Sequence, residues 1–201
     1  MRNSVNPFQD QRSGKVALVA HCILNQNAKV AGLARFPAAV PGVAALLERY
    51  RFGLVQMPCP EMETAGLRRW WQVSDQYRCA GFRRSYDRLA DLLLDQVEDY
   101  LSHSFTTILV GIDGSPSCGV DITDRDTKGI WLGCPSLDPA GQNDIFVDGP
   151  GVFIQSIRRK ARSRDLPELP AIGLALDTEK AILDLTVLEA FLAKHSAASE
   201  G

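Results

Sequence analysis

Three short apolar runs, each delivering a cysteine at its end, limit what this chain can fold into. Lys15-Val16-Ala17-Leu18-Val19-Ala20 runs into His21-Cys22, and Gly53-Leu54-Val55-Gln56-Met57 runs into Pro58-Cys59-Pro60-Glu61. Thr106-Thr107-Ile108-Leu109-Val110-Gly111-Ile112 runs into Asp113-Gly114-Ser115-Pro116-Ser117-Cys118-Gly119. Short continuous stretches of β-branched and aliphatic residues read as strands buried on both faces. The glycines and proline of the last segment then force a tight turn that sets a thiol just past the strand's carboxyl end. Between the runs lie segments with helical period. The clearest, from about Gly81 to Ser102, keeps Tyr86, Leu89, Leu93, Val97 and Leu101 on one face. Helices are also expected from about Pro41 to Tyr50, from Val152 to Arg164 and from Glu179 to Lys194, with a fourth strand over Leu169 to Leu176. Strands separated by helices give an α/β fold: a single Rossmann-like three-layer domain with a mostly parallel sheet of about four or five strands. Ligands of such sheets bind outside the carboxyl ends of the strands, which is where all three thiols fall.

A chain of 201 residues suits one domain, long enough to bury a core without covalent staples. Residues 1–13 read as a flexible leader, 14–195 as the domain and 196–201 as a disordered tail. The segment Glu61 to Trp71 reads as irregular, and Asp121 to Pro150 as a long loop or a short excursion over the site. A formal net charge of -2 argues against a nucleic-acid partner, for which a basic stripe is the usual footprint. Arg83-Arg84 and Arg158-Arg159-Lys160 read as solvated charge, and Arg68-Arg69 either as solvated charge or as a contact to an anionic substrate group, the former favoured. No apolar stretch approaches the roughly 20 residues of a bilayer span, and the first 13 residues lack the apolar segment of a secretory signal, so the expectation is a cytoplasmic protein with no membrane partner. Assembly is expected as a monomer or homodimer. Five cysteines, an odd number, argue against a disulfide framework and leave the thiols as ligands or nucleophiles.

Neither phosphate-binding glycine signature follows a strand, and the turn ending at Cys118 does not match a nucleophile elbow. Among three histidines only His21 falls on the rim. Cys22, Cys59 and Cys118 therefore carry the chemistry. Three thiolates on zinc leave a fourth position for water; three on a [4Fe-4S] cluster leave one iron without a protein ligand. The cysteines lie too far apart in sequence for any short ligand motif, so spacing does not choose, and three unligated thiols remain a third reading. His21 is either a hydrogen-bonding structural group or a contact to substrate or cluster. Asn25 and Asn27 either read a substrate amide edge or close their own turn. Trp70-Trp71 either stack on a flat ring or pack. Cys79 has no strand behind it, Cys134 is a fourth ligand, a sulfur relay or a plain thiol, and Asp177 faces the crevice or caps the last helix.

The pieces His21-Cys22-Ile23-Leu24-Asn25-Gln26-Asn27, Pro58-Cys59-Pro60-Glu61 and Gly114-Ser115-Pro116-Ser117-Cys118-Gly119 together resemble the thiouracil desulfurase (desulfidase) family. They resemble most closely a branch of iron–sulfur desulfidases with the His-Cys-x-Leu-Asn-Gln-Asn form of the first piece. The resemblance covers about residues 15 to 120. It implies a [4Fe-4S] cluster on Cys22, Cys59 and Cys118, and removal of sulfur from a small thiocarbonyl substrate to give the oxo compound and hydrogen sulfide. It further implies a glutamate and a serine as catalytic groups, placed by motif position at Glu61 and at Ser115, with Ser117 the other serine beside the substrate. From their own places on the rim, His21, Asn25 and Asn27 are candidate substrate contacts, and Glu63 is a reserve acid. Family members have a Ser-x-Cys-Leu first motif and a Gly-Gly-Leu-Pro-Thr-Pro-Arg stretch after the second; this chain has neither, so substrate identity does not carry over. A zinc hydrolase using the same thiolates with Glu61 as base, and a metal or sulfur carrier, stand as the other functions.

Overall fold

The computed structural model describes residue 8 and residues 10–126, 146–177 and 182–197. Most of the expected leader and tail, and Cys134, lie outside the described residues.

The chain opens with β1 (Lys15–Val19), whose five residues are all buried, followed by the one-turn α1 (His21–Leu24) and a 3-10 turn at Gln26–Ala28. Then come α2 (Val43–Arg49), β2 (Gly53–Gln56) and α3 (Pro60–Ala65). A long amphipathic α4 (Ala80–Ser102) leads to β3 (Thr106–Ile112). The segment Glu61 to Trp71, expected to be irregular, begins with the helix α3. Pro60 sits at its first turn, where a missing N–H costs nothing, and Glu61 and Glu63 face the positive end of the helix dipole.

Past β3, the expected loop from Asp121 to Pro150 contains a ribbon: β4 (Ile122–Asp124) pairs antiparallel with β5 (Phe146–Asp148). After α5 (Val152–Ser163) come β6 (Ala171–Leu174), a two-residue pair β7 (Leu176–Asp177) and β8 (Ile182–Leu183), and α6 (Leu185–Ala197). The last helix thus starts six residues later than its apolar spacing suggested. It begins eight residues past Asp177. Asp184 does the capping, its Oδ1 accepting from the Thr186 N–H at 2.9 Å.

One four-stranded sheet in the order β2-β1-β3-β6 runs parallel throughout. Right-handed crossovers then put α2 on one face and α4 and α5 on the other. The packing agrees: α4 lies along α5, while α2 meets α6, which also touches β6. The result is three layers with the core between them, built from β1 and β3 and from Tyr86, Leu93, Leu94, Val97 and Phe153 of the helices. Continuous burial of β1 and β3, against the exposed edge strand β2, follows from their central places in a doubly covered sheet. Among the described residues no helix is long and apolar enough to cross a membrane.

Candidate functional site

The strand order reverses at β1: the chain steps from β1 to β2 on one side and later places β3 on the other. The connections therefore diverge there, and a crevice opens beyond the carboxyl ends of the strands. Cys22 sits in α1 directly after β1, Cys59 is the N-cap residue of α3 after β2, and Cys118 lies in the turn after β3. All three line one cavity of about 340 Å³.

The turn that carries Cys118 is held by Asp113, whose Oδ1 accepts the N–H groups of Val120 at 2.8 Å and Asp121 at 3.1 Å. Gly119 is required there, since a Cβ on it would lie 2.1 Å from the Ile122 carbonyl oxygen. Ser115 Oγ adds a second brace by accepting from the Cys118 N–H at 3.1 Å and the Ser117 N–H at 3.3 Å.

Burial pushes the Cys118 thiol well above its ordinary value, and the facing Cys22 and Cys59 push it further. Burial likewise raises Cys22, and it raises Cys59 to about 11 with help from the Glu61 carboxylate. These thiols stay protonated in water at neutral pH; a bound cation is what would remove their protons. Among the described residues, no group of three or more His, Cys, Asp or Glu is arranged to hold a metal ion. A single zinc would draw its sulfurs in to about 2.3 Å each. A four-iron cluster is a larger body and spaces its thiolates more widely. The donor set, one buried and two half-buried soft sulfurs around one hollow, fits such a cluster.

Beside the thiols lies a buried ion pair. Glu61 Oε2 accepts from Arg69 Nε at 3.0 Å, and Glu61 Oε1 accepts from Ser117 Oγ at 2.6 Å. Arg69 spends its other donors on the carbonyls of Ala28 at 2.8 Å and Gly66 at 3.1 Å. Ser117 Oγ also lies 3.6 Å from Cys118 Sγ and 3.3 Å from Ser115 Oγ. Ser115, Ser117 and Glu61 thus form a hydrogen-bonded row along the cavity wall beside Cys118.

Of the other residues singled out in the sequence, His21 lines the cavity, with its Nε2 buried and without a hydrogen-bond partner. Burial lowers its pKa, and a bond to the Met57 backbone holds the ring. Asn25 and Asn27 do not line the cavity. Asn25 Oδ1 accepts from the backbone N–H and side-chain amide of Asn27 at 3.1 and 3.0 Å, so both side chains are spent in closing their turn. Trp71 lines the cavity while Trp70 is exposed, and Arg68, Glu63 and Cys79 stand outside it.

Several lining residues escaped the sequence reading, Lys29 and Arg35 among them, and three bear directly on the chemistry. Arg69 passed for solvated charge, yet only 3% of its side chain is exposed. Asp124 is 1% exposed at the end of β4; burial first, and the Glu61 charge second, raise its pKa to about 8. Gln72 offers a buried Oε1 with no partner. For Asp124 a sequence cue existed, the short β-branched alternation Ile122-Thr123-Asp124 directly after the cysteine turn; for Gln72 there was none.

No family model matches this chain. A protein of Methanocaldococcus jannaschii, the uncharacterised protein MJ0003, is 31% identical over 106 residues, which span 53% of this chain and 68% of that protein. A solved structure, that of the [4Fe-4S]-dependent thiouracil desulfidase TudS, aligns over 90% of this chain and 97% of its own at 19% identity, with a TM-score of 0.49.

Proposed function

We propose, for a chain that belongs to the same family as the uncharacterised protein MJ0003, that it is an iron–sulfur-dependent desulfurase acting on a small, thiouracil-like thiocarbonyl compound. The overall reaction adds water and exchanges one atom: C=S becomes C=O, and the sulfur leaves as hydrogen sulfide. The observation that carries this reading is the convergence of three strand-end thiols and a buried, partnered carboxylate on one cavity.

A [4Fe-4S] cluster held by Cys22, Cys59 and Cys118 would supply an iron without a protein ligand, a soft acid matched to a soft thiocarbonyl sulfur. The chain's own residues do the rest. Arg69 keeps Glu61 oriented and compensated inside the wall, and Ser117 fixes the other carboxylate oxygen. A carboxylate has about four acceptor sites, so Glu61 retains lone pairs able to take a proton from water as it attacks the thiocarbonyl carbon. Ser115 Oγ already accepts two backbone N–H groups, which leaves its own proton free to be donated to Ser117 or to the substrate. At about 340 Å³ the cavity is of the size that takes a single small heterocycle.

The test is anaerobic reconstitution with ferrous iron and sulfide, metal and sulfide analysis, then incubation with 2-thiouracil. The expected outcome is a brown protein that retains iron and releases hydrogen sulfide and the oxo product. Glu61→Gln should keep its iron and lose about 10²-fold or more in kcat, while Cys118→Ser should fail to keep iron. Colourless protein with stoichiometric zinc would replace this reading with the hydrolase. Iron-loaded protein that turns over no thiocarbonyl compound, whatever stands at residue 61, would replace it with the carrier.

A further inference from the structure

The cavity holds polar atoms that nothing in the protein satisfies. Buried polar groups nearly always have partners, so an unmet one facing a hollow points to a ligand. Among the described residues, Asp124 Oδ2, His21 Nε2 and Gln72 Oε1 are buried without partners, and all three residues line the cavity. Asp124 is the most enclosed, at 1% exposure. Its Oδ1 accepts the Ser74 N–H at 3.2 Å, the indole of Trp71 bonds the same carboxyl group, and its Oδ2 has nothing to accept.

The charges around it decide its protonation. Glu61 on α3 faces it as a like charge, and the phenol of Tyr77 lies near enough to feel it. Among the described residues no ion pair is made to it: Arg69 is committed to Glu61, Arg125, next in the chain, is paired with Asp75 at 3.0 Å, and Lys29 and Arg35, which line the same cavity, are not among the groups that act on its carboxyl. An enclosed carboxyl that faces a carboxylate and lacks a cation partner keeps its proton, and a neutral carboxyl is a hydrogen-bond donor. Its pKa of about 8 agrees with that.

We propose that Asp124 is a substrate-contacting residue: a neutral carboxylic acid whose Oδ2 hydroxyl donates a hydrogen bond to an acceptor on the substrate ring. The wall opposite in character is supplied by His21 and Gln72. The backbone bond to Met57 occupies one nitrogen of His21, leaving Nε2 as an acceptor, and Gln72 presents an acceptor of its own. Together these groups complement the edge of the thiouracil-like ring already proposed, a donor against a ring acceptor and acceptors against ring N–H groups. A simple thioketone or an acyclic alkyl thioamide would leave these atoms unmet. This inference rests on the desulfurase reading and narrows it.

Two measurements test it separately. The first needs no activity. A carboxyl whose folded-state pKa is raised contributes instability that grows as pH rises from its unfolded to its folded value. The urea midpoint of the wild-type protein should therefore fall, relative to Asp124→Asn, as pH rises from about 5 to 8, and the difference should level off above that. The second uses the reconstituted enzyme and 2-thiouracil. Above pH 8 the wild-type KM should rise more steeply with pH than that of Asp124→Asn, because the wild type loses its donor in addition to the ionisation of 2-thiouracil itself. Asp124→Asn keeps an N–H donor, so its KM should follow the ionisation of the substrate alone, while Asp124→Leu should raise KM at every pH with kcat less affected. A pH-independent midpoint difference, or an Asp124→Leu enzyme with wild-type KM, would overturn the role of Asp124 while turnover stands. A protein that shows the midpoint shift and turns over no thiocarbonyl compound would instead overturn the desulfurase reading, and the substrate contact with it.

Discussion

Two sets of ion pairs on this molecule use the same residue types and live in different solvents. One is the pair Glu61–Arg69 in the cavity wall, at 3.0 Å, with side chains 10% and 3% exposed. The other is a ladder between α4 and α5. There Arg159 meets Asp87, Lys160 meets Asp91 at 2.8 Å, and Arg164 reaches Asp91 at 2.8 Å and Asp95 at 2.7 Å. The distances are alike; the water is not. In the ladder every charge keeps contact with water, the least exposed being the Arg164 side chain at 22%, and each loses less when its partner goes. In the wall neither charge can be rehydrated, so each must be matched fully by the other and by nearby polar groups. That is why Arg69 also bonds two carbonyls and Glu61 a serine hydroxyl. The ladder ties two helices together; the wall builds a site whose parts are mutually dependent.

The largest effect should come from Arg69→Met, which leaves the Glu61 carboxylate uncompensated. Breaking one side of such a buried pair costs about 3–5 kcal/mol. Urea denaturation of the apo protein should show that loss, and the double variant Glu61→Gln/Arg69→Met should recover a large part of it. A loss below about 1 kcal/mol would mean that water reaches the pair, and the contrast with the ladder would collapse.

Next comes Ser117→Ala. It removes the short bond to Glu61 Oε1 and leaves that oxygen in a wall with no other donor among the hydrogen bonds described. The expected cost is about 1–3 kcal/mol in folding stability, with a matching fall in kcat if Glu61 must be held to take its proton. Ser115→Ala is the control. Its hydroxyl braces the backbone of the turn and reaches Glu61 only through Ser117, so its stability loss should depend less than that of Ser117→Ala on whether residue 61 is Glu or Gln.

Charge runs show where a sequence stops speaking. Arg158-Arg159-Lys160 and Arg68-Arg69 look the same as text, and both read as solvated. For Arg159 and Lys160 that holds, because their partners sit one helix away on an open face. For Arg69 it fails: its burial depends on Glu61 and on Ala28, 41 residues distant, and no local pattern reports such a meeting. The β4–β5 ribbon escaped for the same reason, since its pairing joins residues more than twenty apart. By contrast, three thiols far apart in the chain reach one rim because a parallel sheet brings every carboxyl end to the same edge, and each apolar run could be read alone. The helix α3 was legible in principle. Pro60 and two early glutamates mark a helix start, but no apolar period follows them to extend it.

The smallest effect should belong to Arg164→Ala, although Arg164 makes more ion-pair contacts than Arg69. Asp91, Asp95 and Glu98 are 37%, 65% and 56% exposed, so solvent screens every pair it forms. The loss should stay below about 1 kcal/mol and shrink further in high salt. Its pH dependence also has a set sign. The Lys160 and Arg164 contacts hold the Asp91 carboxyl below its ordinary value, so the stabilisation is whole above the unfolded-state pKa of about 4 and fades as pH falls through the folded one. Wild type and Arg164→Ala should therefore converge in acid, and a gap that persisted at low pH and high salt would mean that the Arg164 stem, packed along α4, stabilises the pair of helices through its hydrocarbon and not its charge.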